Sequence, residues 1–509
     1  MGQSIESTED MLQVMPQTNN AIIEKIKNTA LFREKAYLNG KWVHASETIE
    51  VTNPSNGKVL GHVPALSEKE TGEAIEAAQK AFVVWSAMLA KDRARILCRW
   101  ADLMLQHKED LAVIMTLEQG KPLDESRGEI DYAASFFEWF GEEAKRAYGD
   151  TIPSHLPNAK MLVTRQPVGV TAAITPWNFP SAMITRKAGA ALAAGCTMIV
   201  RPASETPFSA LALAVLAEEA GVPAGVFSVL TGSARKIAGI LTESSVVQAI
   251  SFTGSTEVGR ILLSQSADTV KKMSMELGGH APFIVFPDAN LDKAVKGAIG
   301  AKFATTGQDC LAANRIYVHS DIYDEFAAKY TAATEAMKTG DGMEEDVALG
   351  PLMNESAVQK CEALVKDALQ KGAKLLTGGE RHKCGNLFYK PTVLGDVTPE
   401  MDIYYEETFG PVAPLIRFIN EKDVVAAAND TIYGLAAYVY SQDISRCHRV
   451  SDQLAYGMVG VNTPKFTGAP IPFGGYKQSG LGREGSRYGL DDYMELKYVC
   501  LGLDENNNE

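Results

Sequence analysis

The hydrophobic pattern of the chain changes near residue 168. From about 68 to 144, apolar residues recur at helical spacing, which predicts helices that bury one face. After residue 168, short runs rich in β-branched residues alternate with helical stretches. The pattern predicts strands at 168–174, 197–200, 225–230 and 247–252, and helices at 207–220 and 233–242. This alternation is typical of an α/β fold with a parallel, doubly wound sheet.

The second half of the chain keeps the same rhythm. The pattern predicts helices at 291–304, 322–337, 356–372, 426–434 and 444–457, and strands at 315–319, 374–376, 437–440 and 457–462. The closing residues 493–501 also alternate as a strand. A single strand at the end of a chain has to pair with another strand, so we interpret 493–501 as an interface strand.

Length, charge and cysteine content narrow the class of protein. A chain of 509 residues is too long for one hydrophobic core, so two or three domains are expected. The net charge of −14 argues against nucleic acid and anionic membranes as partners. The cysteines number seven and lack C-x-x-C spacing, which argues against disulfides or a metal site and favours the cytoplasm. The polar ends, 1–20 and 504–509, predict flexible tails.

Polar residues and glycines follow several of the predicted strands. In parallel sheets, ligands gather at the carboxyl ends of strands. The residues just past those ends are Asn178, Arg201, Ser204, Gly254 and Ser255. The stretch 254–259 has the strand–glycine–helix context of a phosphate-binding turn, but Thr256 replaces the middle glycine. A nucleotide site and an ordinary helix start capped by Ser255 or Thr256 both remain open here.

Two residues in the middle of the chain are candidates for catalysis. Cys310 lies in a polar turn with Gln308 two positions before it, where a thiolate is accessible to substrate. A small residue in a tight turn is the alternative interpretation. Glu276 precedes a pair of glycines among apolar neighbours, where a raised pKa suits a general base. A glutamate at a helix end is the alternative there.

The order and spacing of these residues are more specific than any one of them. Asn178, Glu276 and Cys310, together with Gln308 and the segment 407–411, resemble the aldehyde dehydrogenase superfamily. The resemblance extends from about residue 37 to 502. Within the superfamily, the chain is most similar to succinate- and glutarate-semialdehyde dehydrogenases, through the segments 184–189, 208–214 and 479–485.

The resemblance implies a domain plan. We expect the aldehyde dehydrogenase fold, with a Rossmann-like NAD(P)-binding domain formed by residues 30–149 and 169–284. Residues 285–485 then form an α/β catalytic domain. A small β arm for oligomerisation is expected from 150–168 and 486–503, and it implies a homodimer or homotetramer.

The resemblance also implies a reaction. The Cys310 thiolate attacks an aldehyde, and the Asn178 amide and the Cys310 main-chain N–H hold the resulting oxyanion. Hydride then passes to the nicotinamide, and Glu276 activates the water that hydrolyses the thioester. Lys187 supports the site. An aldehyde dehydrogenase that acylates coenzyme A needs no hydrolytic glutamate, and an inactive binding homologue needs none of the three residues, so both are weaker alternatives.

Cofactor residues follow from the same resemblance. Glu407 is expected on the nicotinamide ribose and Phe409 beside the ring. The other residues expected near the cofactor are Thr175, Pro176, Trp177, Arg201, Ala203, Ser204, Gly254, Ser255 and Gly259. Ser204 stands where members that prefer NAD often carry Glu, and Arg201 can pair with a 2′-phosphate. NADP is therefore expected to be accepted as a cofactor. The preference between NADP and NAD stays open, because Glu205 offers a carboxylate one position after Ser204.

The chain differs from these relatives at positions that are expected to bind the substrate. Succinate-semialdehyde enzymes carry an Arg six residues before the catalytic Cys, whereas this chain has Ala304. Arg186, the other anion-binding arginine, is retained, and Lys465 is a candidate for the missing charge. Asp309 is expected either to pair with Lys465 or to accept a hydrogen bond from a substrate hydroxyl or amine; a turn Asp and a solvated Lys are the alternatives.

The substrate expected from these residues is a small, anionic semialdehyde. The other residues expected to contact it are Phe179 and Thr467. Succinate semialdehyde is the first candidate. Glutarate semialdehyde and a hydroxylated or sulfonated aldehyde such as sulfolactaldehyde are the alternatives.

Overall fold

The computed structural model of the protein describes residues 22–503. The tails predicted at 1–20 and 504–509 lie outside these residues. The strands are β1 (Ala36–Leu38), β2 (Lys41–Val43), β3 (Thr48–Thr52), β4 (Val59–Pro64), β5 (Asp150–Ile152), β6 (Ala159–Pro167), β7 (Val170–Ile174), β8 (Thr197–Arg201), β9 (Phe227–Val229), β10 (Val247–Thr253), β11 (Lys272–Glu276), β12 (Ala281–Val285), β13 (Ala313–His319), β14 (Lys374–Thr377), β15 (Thr392–Gly395), β16 (Val412–Phe418), β17 (Ala436–Tyr440), β18 (Met458–Val461), β19 (Gly480–Leu481) and β20 (Met494–Gly502).

The α-helices of the described residues surround these strands. They are α1 (Glu68–Ala87), α2 (Ala90–Gln106), α3 (Lys108–Gln119), α4 (Leu123–Ala144), α5 (Ala182–Ala194), α6 (Pro207–Ala220), α7 (Ala234–Glu243), α8 (Thr256–Ser266), α9 (Leu291–Phe303), α10 (Tyr323–Glu335), α11 (Glu355–Gln370), α12 (Glu421–Asn429) and α13 (Ile444–Gln453). No helix within residues 22–503 is both long and apolar enough to cross a membrane.

The first sheet contains the doubly wound pattern predicted between residues 168 and 252. Its strand order is β19-β11-β10-β7-β8-β9-β1-β2. The pairs from β11 to β9 are parallel, and the added strands β19 and β1 pair antiparallel. The strand residues of β7 and β8 are buried on both faces, because helices cover both sides. The predicted α/β fold class is confirmed.

The second sheet is built from the second half of the chain. Its order is β14-β15-β16-β13-β12-β17-β18, with parallel pairs except at β14. Strand β12 begins five residues after β11 ends, at Glu276 and Ala281. This short connection brings the carboxyl end of β11 in the first sheet next to the segment that precedes β13 in the second sheet.

A third sheet consists of β20, β6 and β5 in that order, all antiparallel. Strand β20 pairs with β6 along its whole length, from Met494 opposite Pro167 to Gly502 opposite Ala159. The segments 150–168 and 486–503 thus supply all of its strands. Leu496 and Tyr498 expose more than half of their surface on β20, at 67% and 54%.

Two predicted helices end earlier than the hydrophobic pattern indicated. The helix predicted at 444–457 ends at Gln453, since Leu454 turns to an extended conformation and leads to β18. The helix predicted at 426–434 runs instead over Glu421–Asn429. Its start is set by Asn420, whose side chain accepts a hydrogen bond from the Asp423 N–H.

Candidate active site

Cys310 lies in the connection between α9 and β13, after a short 3₁₀ turn. Thr305 and Thr306 in that turn have φ values of 49° and 58°, in the left-handed region that is costly for β-branched residues. Two contacts hold this strained backbone. The Thr305 N–H donates to Glu125 Oε2 at 2.9 Å, and the Met353 N–H donates to Gln308 Oε1 at 2.9 Å. The loop that presents Cys310 is therefore fixed by its neighbours.

Glu276 ends β11 and is the carboxylate beside Cys310. Neither of its oxygens accepts a hydrogen bond of standard geometry from residues 22–503, although the Cys310 thiol is close enough to affect its pKa. Burial raises the pKa of the Glu276 carboxyl to about 8, against the opposing effects of Arg186 and Lys187. A carboxylate with this pKa and free oxygens is suited to take a proton near neutral pH.

Cys310 is partly exposed, but the protein around it is dense enough that burial dominates the pKa of its thiol. Burial, followed by the Glu276 and Asp309 carboxylates, raises the pKa of the thiol well above its usual value, while Arg186 lowers it. The thiol is therefore protonated in this environment at neutral pH. It needs a proton acceptor to become a nucleophile, and the carboxylate next to it is Glu276.

Gly279 packs against the Cys310 loop, and Gly278 packs against Glu407. A Cβ on Gly279 would stand 2.1 Å from the Cys310 carbonyl oxygen, so only glycine fits there. The Gly279 N–H donates to Glu407 Oε1 at 2.9 Å. Burial raises the pKa of the Glu407 carboxyl to about 7. The glycine pair thus connects the thiol loop with Glu407, which the sequence placed at the cofactor.

Asn178 follows β7 and faces the same loop. Its Nδ2 group donates to the Gln308 carbonyl at 3.0 Å, and its Oδ1 accepts from the Phe179 N–H at 3.1 Å. The side chain is buried, with 6% of its surface exposed. The structure therefore brings the amide of Asn178 next to Gln308, which stands two residues before Cys310.

Three comparisons with known proteins agree with this geometry. The model of the aldehyde dehydrogenase family matches residues 42–499. The protein belongs to this family. Its aldehyde dehydrogenase fold is shared with a solved Escherichia coli structure described as an NADP-dependent enzyme. That structure is 57% identical with a TM-score of 0.93, over 94% of this chain and 100% of the other.

Several curated aldehyde dehydrogenases are similar over nearly the whole chain. The NADP(+) succinate-semialdehyde dehydrogenase GabD of Escherichia coli K12 is 57% identical, over 94% of this chain and 100% of that protein. A 3-sulfolactaldehyde dehydrogenase of Pseudomonas putida is 56% identical, over 94% and 99%. A non-phosphorylating aspartate-semialdehyde dehydrogenase of Halomonas elongata is 54% identical, over 94% and 97%.

The aromatic residues predicted at the nicotinamide meet in this aldehyde dehydrogenase. The rings of Trp177 and Phe409 lie 5.7 Å apart at 88°, an edge-to-face contact. Both side chains are partly exposed, which leaves surface for a ligand. Thr175 and Pro176 precede Trp177, and the Thr175 N–H donates to the Arg201 carbonyl at 3.1 Å. The loops after β7 and β8 are thereby joined.

Arg201 and Ser204 form a pair at the end of β8. Arg201 Nη2 donates to Ser204 Oγ at 2.7 Å and to the Gly232 carbonyl at 3.0 Å. Its buried Nε has no partner among residues 22–503. Burial lowers the pKa of the guanidinium, and Glu205 partly offsets this. A buried guanidinium with an unused N–H fits the anionic adenosine end of a dinucleotide; Ala203 lies buried between the two residues.

The glycines at the start of α8 have a packing role. A Cβ on Gly254 would stand 2.4 Å from the Phe252 ring, and one on Gly259 would stand 2.6 Å from Leu277 Cδ2. Ser255 caps the helix, with its Oγ accepting from the Val258 N–H at 3.3 Å. The helix start was one of the two interpretations of this stretch, and the amino end of α8 still suits a phosphate.

Arg186 and Lys187 are buried and share one counter-charge, Glu484. Arg186 Nε donates to Glu484 Oε2 at 2.6 Å, and its guanidinium lies 4.1 Å from the Phe473 ring centroid. Lys187 Nζ donates to Glu484 and, at 2.7 Å, to Thr253 Oγ1. Burial opposes ionisation of Glu484, but the two cations outweigh it and lower its pKa to about 2. The charge of Arg186 is therefore largely neutralised within the protein.

The pairing of Asp309 with Lys465, one of the two expectations for Asp309, is not present among residues 22–503. Lys465 is exposed and makes no ion pair with any residue in the described part of the chain. Its loop is closed on itself, because Thr463 Oγ1 both accepts from the Lys465 N–H and donates to the Lys465 carbonyl. Asp309 Oδ1 accepts instead from the Leu311 N–H at 3.0 Å.

The other predicted substrate residues, Phe179 and Thr467, contact different side chains. Phe179 is partly buried, with Lys121 Nζ 4.1 Å from its ring centroid. Thr467 is exposed. Burial raises the pKa of the Tyr132 hydroxyl, and Arg186 and the Thr467 side chain both oppose this rise. Among residues 22–503, there is no cluster of three or more His, Cys, Asp or Glu side chains that could hold a metal ion.

Four charged residues at this site were not found by sequence reasoning. They are Lys121, Glu125, Glu129 and Glu484, all supplied by segments far from Cys310 along the chain. Glu484 lies in a segment that supported the resemblance, but no role was assigned to it. Lys121 follows a Glu-Gln-Gly sequence and precedes a proline, so it resembles a solvated residue at a helix start. Only its burial in the fold reveals its place.

Proposed function

We propose that this aldehyde dehydrogenase oxidises a small semialdehyde to the carboxylic acid with NADP+ or NAD+. The observation that carries the proposal is the Cys310 thiol beside a buried Glu276 carboxylate, whose oxygens accept no hydrogen bond of standard geometry from residues 22–503. The Asn178 amide lies at the same loop, 3.0 Å from the Gln308 carbonyl. The name of the Escherichia coli relative, an NADP(+) succinate-semialdehyde dehydrogenase, supports the same reaction.

In the first half of the reaction, Cys310 acts as nucleophile. Its thiol loses a proton to the Glu276 carboxylate, and the sulfur forms a bond to the aldehyde carbon. The carbonyl π electrons move to oxygen, and the oxyanion accepts hydrogen bonds from Asn178 Nδ2–H and the Cys310 N–H. A bound nicotinamide cofactor supplies the hydride acceptor, and Cys310 is left as a thioester.

In the second half, Glu276 acts as general base. After the proton taken from Cys310 has passed to solvent, the Glu276 carboxylate removes a proton from water while the water oxygen attacks the thioester carbon. The same donors hold the second oxyanion. When this oxyanion collapses, the C–S bond breaks, the Cys310 thiolate leaves and the carboxylic acid is released. Lys187 and Arg186, which pull the pKa of Glu276 downward, keep part of this base ionised near neutral pH.

The cofactor is proposed to lie across the carboxyl ends of the first sheet. Trp177 and Phe409 flank the nicotinamide, Glu407 binds its ribose, and the first turn of α8 holds a phosphate. Arg201 and Ser204 are proposed at the adenosine 2′ position, where Arg201 Nε, which has no partner among residues 22–503, can donate to a phosphate. We therefore expect NADP+ to be accepted, with NAD+ as the alternative.

A second candidate is a semialdehyde that carries a hydroxyl or an amine. Asp309 is adjacent to Cys310, has no ion pair among residues 22–503, and accepts from the Leu311 N–H. Its carboxylate can accept from such a group, whereas Ala304 offers no charge to a terminal carboxylate. Sulfolactaldehyde carries a hydroxyl and aspartate semialdehyde an amine, and relatives named for both are more than half identical to this chain.

The experiment is a substrate panel that follows NAD(P)H formation. Succinate, glutarate and aspartate semialdehydes and 3-sulfolactaldehyde are each assayed with NADP+ and NAD+, with and without coenzyme A. Cys310→Ala serves as the control. We expect oxidation of at least one semialdehyde without coenzyme A and none by Cys310→Ala. Absolute dependence on coenzyme A would overturn the proposed hydrolytic role of Glu276.

Asp309→Asn separates the two substrate candidates. Asparagine keeps the size of the side chain and removes its charge. We expect it to lower kcat/KM for aspartate semialdehyde or 3-sulfolactaldehyde by about tenfold, the effect of losing a charge-assisted hydrogen bond, and to leave succinate semialdehyde within about twofold. Equal losses on all substrates would exclude a specificity role for Asp309.

We also propose the domain plan and assembly that the sequence implied. Residues 30–149 and 169–284 form the cofactor domain and 285–485 the catalytic domain. The third sheet, from 150–168 and 486–503, is the proposed interface of a cytoplasmic homodimer or homotetramer, and the exposed Leu496 and Tyr498 on β20 support it. Light scattering of the wild type and of Leu496→Asp tests the interface: a monomeric wild type would exclude it.

A further inference from the structure

Lys121 is a buried cation bonded to the residue that carries the oxyanion donor. Only 2% of its surface is exposed. Its Nζ donates at 2.6 Å to Glu129 Oε2 and at 2.6 Å to the main-chain carbonyl of Asn178. Burying such a pair costs free energy that packing apolar residues would avoid. The position of the pair at Asn178 therefore requires a functional explanation.

The geometry points to a relay of two amides between Lys121 and the oxyanion: Lys121 is a positioning residue that polarises the Asn178 side chain through the peptide bond to Phe179. The chain of contacts is continuous. Lys121 Nζ donates to the Asn178 carbonyl, the Phe179 N–H of that peptide donates to Asn178 Oδ1 at 3.1 Å, and Nδ2 of the same side chain donates to the Cys310 loop at 3.0 Å.

Each bond in this chain strengthens the next. A cation on the carbonyl of a peptide makes its N–H a stronger donor, and a stronger bond to Oδ1 makes the amide Nδ2–H a stronger donor in turn. The site is buried, where such polarisation is larger than in water. Lys121 thus strengthens the hydrogen bond to a developing oxyanion without contacting the substrate.

The rest of the structure holds Lys121 rigidly in this position. Glu129 Oε1 accepts from the N–H groups of Ser181 and Ala182 at 2.9 and 3.1 Å, which joins the ion pair to the start of α5. A Cβ on Gly350 would stand 2.0 Å from the Gly120 carbonyl oxygen, so the main chain before Lys121 is closely packed. The field of Lys121 also reaches the Cys310 loop: it opposes the effect of burial on the pKa of Asp309.

This inference rests on the proposed role of Asn178 as oxyanion donor, and two thiol probes can test it without an aldehyde or a cofactor. With 4-nitrophenyl acetate, the Cys310 sulfur adds to the carbonyl, an oxyanion forms, and nitrophenolate leaves as the C–O bond breaks. With iodoacetamide, the sulfur displaces iodide directly and no oxyanion forms. A relay through Asn178 affects the first reaction and not the second.

We expect Lys121→Met to slow acylation by 4-nitrophenyl acetate about tenfold, less than the about 10²–10³-fold loss typical of removing an oxyanion donor itself. Alkylation by iodoacetamide should stay within about twofold of wild type, as expected without an oxyanion. Lys108→Met is the matched control, because Lys108 is a partly exposed lysine of α3 that pairs with Asp131 of α4, the two helices on either side of Lys121. Equal slowing of both probes would mean that Lys121 only supports the fold, and would overturn the relay.

A double-mutant cycle decides whether the effect passes through Asn178. Asn178→Ala should slow acylation, and Lys121→Met should cost nothing further in that background, because the last member of the relay is already missing. Additive losses would overturn the relay. If Asn178→Ala leaves acylation unchanged, the proposed role of Asn178 fails instead. If Lys121→Met does not fold, Lys121→Gln, which keeps a neutral donor, should slow acylation about threefold and leave alkylation unchanged.

Discussion

Gly279 and Cys310 touch through their main chains: a Cβ on Gly279 would stand 2.1 Å from the Cys310 carbonyl oxygen. The same glycine donates its N–H to Glu407. Its lack of a side chain thus sets the distance between the thiol loop and the proposed nicotinamide site. The position of the nucleophile depends on a residue that has no chemistry of its own.

Gly279→Ala should therefore displace the Cys310 loop. We expect NADPH formation to fall by at least about 10²-fold, the loss that follows about an ångström of misplacement. Overpacking should lower the free energy of unfolding by about 1–3 kcal/mol. Enzyme assays and urea unfolding measure the two effects. Gly239→Ala in α7 is the control, since its Cβ meets nothing within 4 Å; a Gly279→Ala enzyme as active as this control would contradict the prediction.

Glu276 should give the reaction its pH dependence. The carboxylate is the active form and burial raises its pKa to about 8, so kcat should rise with pH and level off above about 8 if thioester hydrolysis limits the rate. Glu276→Gln should remove this ionisation and, because the same carboxylate accepts the Cys310 proton, slow both the formation and the hydrolysis of the thioester. Rapid mixing should then show neither a fast burst of NADPH nor fast turnover. Continued fast turnover by Glu276→Gln would exclude Glu276 as the base.

The alternation of strands and helices after residue 168 was sufficient to predict the doubly wound core of the first sheet. Each of its central strands is a short apolar run followed by a turn, so the local pattern carries the information. Strand β19 was not predicted. It joins β11 from more than 200 positions away, through the Leu277 N–H and the Ser479 carbonyl, and no local pattern encodes such a pairing.

In the candidate site, too, local sequence could not predict contacts between residues far apart in the chain. Cys310, Glu276 and Asn178 could be proposed from residue types and a resemblance, because reactive side chains in turns are unusual. Lys121 could not, because a lysine before a proline looks like a solvated residue until the fold buries it. A pair between Lys465 and Asp309 was one of the alternatives that the sequence left open. The pair does not form, because the loop of Lys465 is closed by Thr463 and leaves the lysine exposed.

Ser204 should control the choice of cofactor. Ser204→Glu would place a carboxylate next to Arg201, whose Nη2 already lies 2.7 Å from Ser204 Oγ, and would repel a 2′-phosphate. We expect the ratio of kcat/KM for NADP+ to that for NAD+ to fall by about 10²-fold, the loss of one charge-assisted contact plus repulsion. Ser204→Ala, which removes the hydroxyl without adding charge, is the control. An unchanged ratio in Ser204→Glu would place the 2′-phosphate elsewhere.

Ala304 should limit the use of dicarboxylic semialdehydes. The residue lies at the end of α9 and is partly exposed, so Ala304→Arg can add a cation near Cys310. We expect kcat/KM for succinate semialdehyde to rise about tenfold, while Lys465→Ala changes it less than about twofold, as is usual for exposed charges. Ala304→Gln controls for side-chain length. If Lys465→Ala lowers kcat/KM for succinate semialdehyde by a larger factor than Ala304→Arg raises it, Lys465 is the residue that binds the substrate carboxylate.

Glu484 should be the most important counter-charge for stability. Glu484→Gln leaves Arg186 and Lys187 buried without a carboxylate, and we expect the free energy of unfolding to fall by about 3–5 kcal/mol. Glu380→Gln is the control, since its exposed pair with Lys390 should contribute little to stability. Urea unfolding at neutral pH compares the two variants. Equal effects would show that the buried cations do not need Glu484.

The stability due to Glu484 should also depend on pH. The pKa of its carboxyl falls from the ordinary value of 4.5 to about 2 on folding, so the folded state binds fewer protons than the unfolded state in this window. The stabilisation is complete above about 4.5 and is lost as the pH falls through about 2. The difference in unfolding free energy between wild type and Glu484→Gln should therefore narrow from pH 5 to pH 3. A difference that stays constant over this range would contradict the lowered pKa.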